Sequence, residues 1–86
     1  MLLSSTTPTG SGSAPNAIAG LPGTTVAYVA NSGTNEVLKI DTSTQQVVAR
    51  AQLPAGSDPL FLTAQNNQTV WVTLLMTNQL ARVTFP

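Results

Sequence analysis

An all-β fold is predicted by three observations. First, only 7% of the 86 residues are charged while 42% are hydrophobic, and the polar positions are mostly Thr, Ser, Asn and Gln. Thr is β-branched and fits a pleated strand, whereas Asn, Ser and Gly fit turns. Second, short apolar stretches with two-residue alternation are separated by clusters of turn residues. Third, the sequence returns on itself after 43 residues: Tyr28-Val29-Ala30 as Trp71-Val72-Thr73, Thr34-Asn35-Glu36-Val37 as Thr77-Asn78-Gln79-Leu80, and Lys39-Ile40 as Arg82-Val83. With one inserted residue, Ser13-Ala14-Pro15 returns as Ser57-Asp58-Pro59. A period of roughly 40–45 residues is the size of one four-stranded propeller blade. The prediction is therefore one complete four-stranded antiparallel propeller blade plus a second blade lacking its last strand.

Residues 1–13 are Ser, Thr, Gly and Pro after the first three, with little apolar area to bury, and read as a flexible tail. Residues 14–53 form the first blade. Asn16–Gly20 is a short strand of small residues, and Leu21-Pro22-Gly23 a turn in which Pro fixes φ and Gly permits a positive φ. Thr24–Ala30 is a strand with Val26, Tyr28 and Ala30 on one face and Ala27 and Val29 on the other. Two apolar faces suit a strand covered on both sides. Asn31–Asn35 is a hairpin loop, and Glu36–Asp41 the third strand. In the turn Asp41-Thr42-Ser43-Thr44 the aspartate can accept backbone N–H groups two or three residues on. Gln46–Leu53 is the fourth strand. Val47, Ala49, Ala51 and Leu53 are expected on one face, Arg50 and Gln52 on the other; a polar face suits an outermost strand.

Residues 54–59, Pro-Ala-Gly-Ser-Asp-Pro, are the inter-blade connection, and residues 60–86 the second, incomplete blade. Its strands are Leu60–Ala64, Thr69 to Leu74 or Leu75, and Gln79–Phe85, with turns at Gln65–Gln68 and Thr77-Asn78. Thr69–Met76 is β-prone, uncharged and free of Pro, a self-association hazard if exposed.

The run Tyr28–Thr42 closely resembles the YVTN β-propeller repeat, with Ala30 in place of the Thr of that signature. Gln46-Val47-Val48-Ala49 and the connection at 54–59 continue the likeness. The second copy, Val70-Trp71-Val72-Thr73 with Asn78-Gln79-Leu80-Ala81-Arg82-Val83-Thr84, is similar to blades of the streptogramin-lyase type. The resemblance covers roughly residues 13–85. It implies a blade, in a family whose rings typically have seven and whose members include surface proteins, lactonase-like enzymes and lyases. Here fewer than two blades are present, and Leu74-Leu75-Met76 replaces the polar loop of the first copy.

The chemistry available is narrow. There is no His and no Cys, so no imidazole base, His-containing triad, disulfide or thiolate metal site can be built. The resemblance to lyases would call for a catalytic His, and none exists to take that role. The acids are Glu36, Asp41 and Asp58. Glu36 and Asp41 fall at opposite ends of one strand and Asp58 in the connection, which suits turns and surface better than a working carboxylate pair. Oxygen-only metal binding needs several carboxylates together. Gly10-Ser11-Gly12-Ser13 lacks the Lys and the strand-to-helix setting of a phosphate loop, and Asn67-Gln68-Thr69 reads as a chance glycosylation sequon. No catalytic, cofactor-binding or metal residue is therefore assigned.

Net charge is zero, and Lys39, Arg50 and Arg82 are scattered singly, which disfavours nucleic acid and acidic membrane surfaces as partners. Val70–Met76, the longest apolar stretch, is too short to insert across a bilayer as a helix. Met1-Leu2-Leu3 does not read as the start of a signal peptide, while the weakly charged Thr/Asn-rich composition points to the bacterial cell exterior. Tyr28 and Trp71 could line a ligand groove but are expected instead to pack between neighbouring blades. A blade cannot bury both faces alone, and stacked repeats need about three units for stability. The chain is accordingly expected to be marginal alone or to associate with itself or with other blades. Three functions fit: a non-catalytic scaffold or interaction module, a remnant of a propeller enzyme whose catalytic residues lie elsewhere, or a small carbohydrate-binding module closing a ring by oligomerisation.

Overall fold

The computed structural model describes residues 6–10, 12 and 14–86; the remaining positions of the 1–13 tail lie outside the described residues. Every regular element among the described residues is a strand: β1 (Pro15–Gly20), β2 (Val26–Asn31), β3 (Glu36–Asp41), β4 (Gln46–Gln52), β5 (Pro59–Ala64), β6 (Thr69–Leu74) and β7 (Gln79–Thr84). They form two antiparallel meanders, sheet A in the order β1-β2-β3-β4 and sheet B in the order β5-β6-β7. The fold is all-β, with a four-stranded sheet followed by one built on the same plan with three strands.

The two sheets share one hydrogen-bond register. Val26 pairs Asp41, Tyr28 pairs Lys39 and Asn31 pairs Glu36; 43 residues later Thr69 pairs Thr84, Trp71 pairs Arg82 and Leu74 pairs Gln79. The first strands correspond at 44 instead, with Ile18 opposite Val29 matched by Leu62 opposite Val72. The one-residue difference sits in the first hairpin, where residues 21–25 separate β1 from β2 and residues 65–68 separate β5 from β6. The turns agree as well. Asn35 and Asn78, the last loop residue of each second hairpin, both adopt φ 55°, the left-handed region that Asn tolerates better than most side chains.

Turn chemistry explains where the strands stop. The Ser43 amide and hydroxyl both donate to Asp41 Oδ1, at 2.9 and 2.7 Å, closing the β3–β4 bend. Gly23 at φ 78° supplies the positive φ of the β1–β2 turn, and the Thr24 hydroxyl donates to the Leu21 carbonyl at 2.8 Å. Asn66 does the same service between β5 and β6, its Oδ1 accepting from the amides of Gln68 and Thr69.

Two apolar clusters follow from the alternation. The larger lies between the sheets: Tyr28, Val37 and Leu53 from the first unit meet Val70, Val72, Leu74, Val83 and Phe85 from the second, with Ala49, Ala51, Leu62 and Ala81 at its margins. The smaller is on the far face of sheet A: Ala27, Val29, Leu38 and Ile40, with Val47 against them. As expected, β2 is covered on both sides, and Ala27 to Asn31 are all buried.

One expectation is corrected. Val47 does not share a face with Ala49, Ala51 and Leu53. A bulge between Lys39 and Ile40 pairs Lys39 with Ala49 but Ile40 with Val47, so Val48 is the extra residue and the strand turns over at that point. Val47 packs on the far cluster while Ala49 and Ala51 face sheet B. The hairpin at Leu74-Leu75-Met76 also forms in full. Leu74 is buried as the last residue of β6, and Leu75 and Met76 stand in solvent in the turn.

Candidate interaction surface

The face of sheet A that meets sheet B is built around Tyr28. Its ring is fully buried and stacks on Phe85 with centroids 5.7 Å apart and planes at 24°. Its hydroxyl donates to the Asn66 carbonyl at 3.0 Å, and burial raises its pKa above the ordinary value. Beside it, Lys39 Nζ donates to the Asn67 carbonyl. Two donors of sheet A thus hold the β5–β6 loop of sheet B. At the other end Asn35 Oδ1 accepts from the Asp58 amide at 3.0 Å, tying the second hairpin of sheet A to the connection.

Forty-three residues on, the same positions carry Trp71 and Arg82 on the opposite face of sheet B. No sheet covers them within the chain. Phe61 is 65% exposed and Leu80 64% exposed, with Thr63, Thr73 and Thr84 exposed between them. Arg82 lies over the indole of Trp71 at 5.8 Å from the ring centroid, and Trp71 Nε1 donates to Gln65 Oε1 at 2.9 Å. Thr73 Oγ1 accepts from the Phe61 amide at 3.1 Å, which holds the phenylalanine at the outer edge. A bare face of one Phe, one Trp and one Leu is the kind of patch that marks a protein–protein contact.

The far face of sheet A is buried at its centre and open at its β1 edge. Ile18 is 71% exposed beside the buried cluster of Ala27, Val29, Leu38 and Ile40. Thr7 and Thr9 run along this face, and a groove of about 630 Å³ lies between them and Ile18, Val29 and Ile40. Arg50 secures the segment. Its Nη2 donates to the Thr9 carbonyl at 2.8 Å while its Nη1 pairs with Glu36 at 3.0 Å.

The three acids do not meet. Glu36 is committed to Arg50 and to the Thr34 hydroxyl. Asp41 caps its own turn, and the Ser43 hydrogen bonds lower its pKa. Asp58 sits in the connection at φ 55°. Among the described residues no group of three or more His, Cys, Asp or Glu converges on a point, and no helix is long and apolar enough to cross a membrane. Tyr28 packs between the sheets as expected, whereas Trp71, its equivalent, does not. Sequence reading missed the tie from Arg50 to Thr9 and that from Asn35 to Asp58, because neither side chain differs in type from an ordinary surface residue. No protein-family model and no curated protein matches the chain.

Proposed function

We propose that the chain is a β-propeller repeat unit of the YVTN type and works as a non-catalytic scaffold or interaction module, exposing a sheet face made to receive another sheet. One observation carries the reading. The positions that seat sheet B on sheet A recur in register on sheet B, where they are bare. Sheets with two apolar faces are stable when stacked and costly when open. Phe61, Trp71 and Leu80 are therefore best understood as contact residues, and with no His in the sequence and no cluster of acids among the described residues, nothing supports the alternative of catalysis by an imidazole base or a carboxylate pair.

Photo-cross-linking tests this. With a benzoylphenylalanine in place of Leu80 in the full-length chain, illumination in the cell yields a covalent adduct with a polypeptide, either a second copy or another protein. Absence of any adduct at position 80, when a control at exposed Thr44 behaves identically, removes the interaction reading. Turnover of a lactone or aryl ester by the purified chain would remove the non-catalytic one.

A further inference from the structure

The bare face of sheet B and the far face of sheet A, buried at Ala27, Val29, Leu38 and Ile40 and exposed at Ile18, are the two halves of the interface already formed inside the chain. Sheet B meets sheet A through Leu62, Val70, Val72, Ala81 and Val83. In the shared register these correspond to Ile18, Ala27, Val29, Leu38 and Ile40, which make up the far face of sheet A. The receiving face of sheet A, centred on Tyr28 and Lys39, corresponds to Trp71 and Arg82 on the bare face of sheet B. From this equivalence we infer that the occupant of the bare face is a second copy of the chain, docked head to tail so that its Ile18 face lies on Phe61, Trp71 and Leu80. The inference rests on the stacking function proposed above and names the partner.

The polar contacts fit too. Inside the chain, Tyr28 and Lys39 donate to carbonyls of the loop between β5 and β6. The loop in the equivalent place on an incoming sheet A is residues 21–25, where Pro22, Gly23, Thr24 and Thr25 are exposed. The Arg82 guanidinium is the donor that would meet its carbonyls, joined by Trp71 Nε1 once that leaves Gln65 Oε1. The faces differ from each other, so the contact is heterologous and each copy keeps one of its two faces for a further copy. The molecule measures 36 × 27 × 24 Å, so one such face is at or below the roughly 800 Å² per partner of a standard interface. Association is therefore weak per contact and depends on concentration. Thr7 and Thr9 occupy part of the same face of sheet A, and the incoming sheet displaces them.

Sedimentation equilibrium on the full-length chain, from micromolar to hundreds of micromolar, decides the matter. The unsubstituted chain is expected to rise past twice the monomer mass. Ile18→Glu blocks one face and Leu80→Glu the other, both at exposed positions where a charge is tolerated by the monomer; unchanged circular dichroism melts confirm that. Each variant alone stays monomeric. Mixed in equal amounts they form a 1:1 dimer, through the one intact pair of faces, and stop there. Arg50→Ala, which releases Thr9, moves the association midpoint to lower concentration by a few-fold. The inference is overturned by a monomeric parent chain across the range, by a mixture that fails to pair or grows beyond a dimer, or by weaker association of Arg50→Ala. If position 80 cross-links only to a different protein, the interaction reading stands and the second copy as its partner falls.

Discussion

Tyr28 shows at the level of a single residue how sequence, packing and chemistry connect. It is the only tyrosine in the chain, it is fully buried between the sheets, and its hydroxyl ends on the Asn66 carbonyl. Burial disfavours the phenolate, so its pKa in the fold lies above the unfolded value near 10. For a raised pKa the associated stability is present in full below the unfolded value and is lost as pH rises through the folded one. Ultraviolet titration near 295 nm should therefore give one transition with a midpoint above 10; a midpoint at the ordinary value would mean the ring is solvated. Tyr28→Phe keeps the stacking on Phe85 and gives up one hydrogen bond to a loop carbonyl that water can reach, so chemical denaturation should show a loss of about 1 kcal/mol or less. Much of this was legible beforehand, since an aromatic at a repeated strand position marks a packing layer. The fate of Trp71 was not, because exposure depends on what stands opposite, and sequence likeness between two positions says nothing about that.

Among the elements, the hairpins were the most legible and the strand faces the least. Gly, Asn and Asp announced most turns, because a bend needs a positive φ or a local side-chain acceptor and few residues provide either; between β6 and β7 only Asn78 did so, after the apolar Leu75 and Met76. The bulge at Val48 left no such mark. No Gly or Pro signals it, and the alternation through Val47, Ala49 and Ala51 looks unbroken, yet the pairing slips by one residue. Register slips of this kind are decided by what lies across the sheet, here Ile40 drawing Val47 to the far cluster. The paired left-handed residues Asn35 and Asn78 give a sharper comparison. Glycine relieves the same backbone strain at both, but only Asn35 also offers its side chain to the Asp58 amide. Asn78→Gly should leave stability within about 0.5 kcal/mol of the parent, whereas Asn35→Gly should cost about 1 kcal/mol more than that, as read by urea unfolding. Equal effects would show that the Asp58 contact contributes nothing to holding the sheets together.

For the molecule as a whole, the balance between covered and open apolar surface sets behaviour. A chain of this length has a thin core, and Ile18, Phe61 and Leu80 remain in solvent. Any association that covers them binds only the folded form, so it raises stability by mass action. The melting temperature should climb with protein concentration for the parent chain and stay flat for Leu80→Glu. A concentration-independent melt of the parent would indicate that the open faces stay open. That two sheets would form and stack was readable from the duplication alone. Which faces would be left bare was readable only once the registers were known, since it follows from the direction in which each sheet turns its copies of the same residues.

The six-residue link Pro54–Pro59 has a consequence for growth. It is fastened from both sides: Asn35 of the unit behind accepts from the Asp58 amide, and the Leu75 and Met76 amides of the unit ahead donate to the Asp58 and Ser57 carbonyls. In the second unit Asn78 stands at the place of Asn35, in the same backbone conformation. A unit added after it would have to bring the other half of the clasp, a pair of hairpin amides aimed back at the link, as Leu75 and Met76 are here.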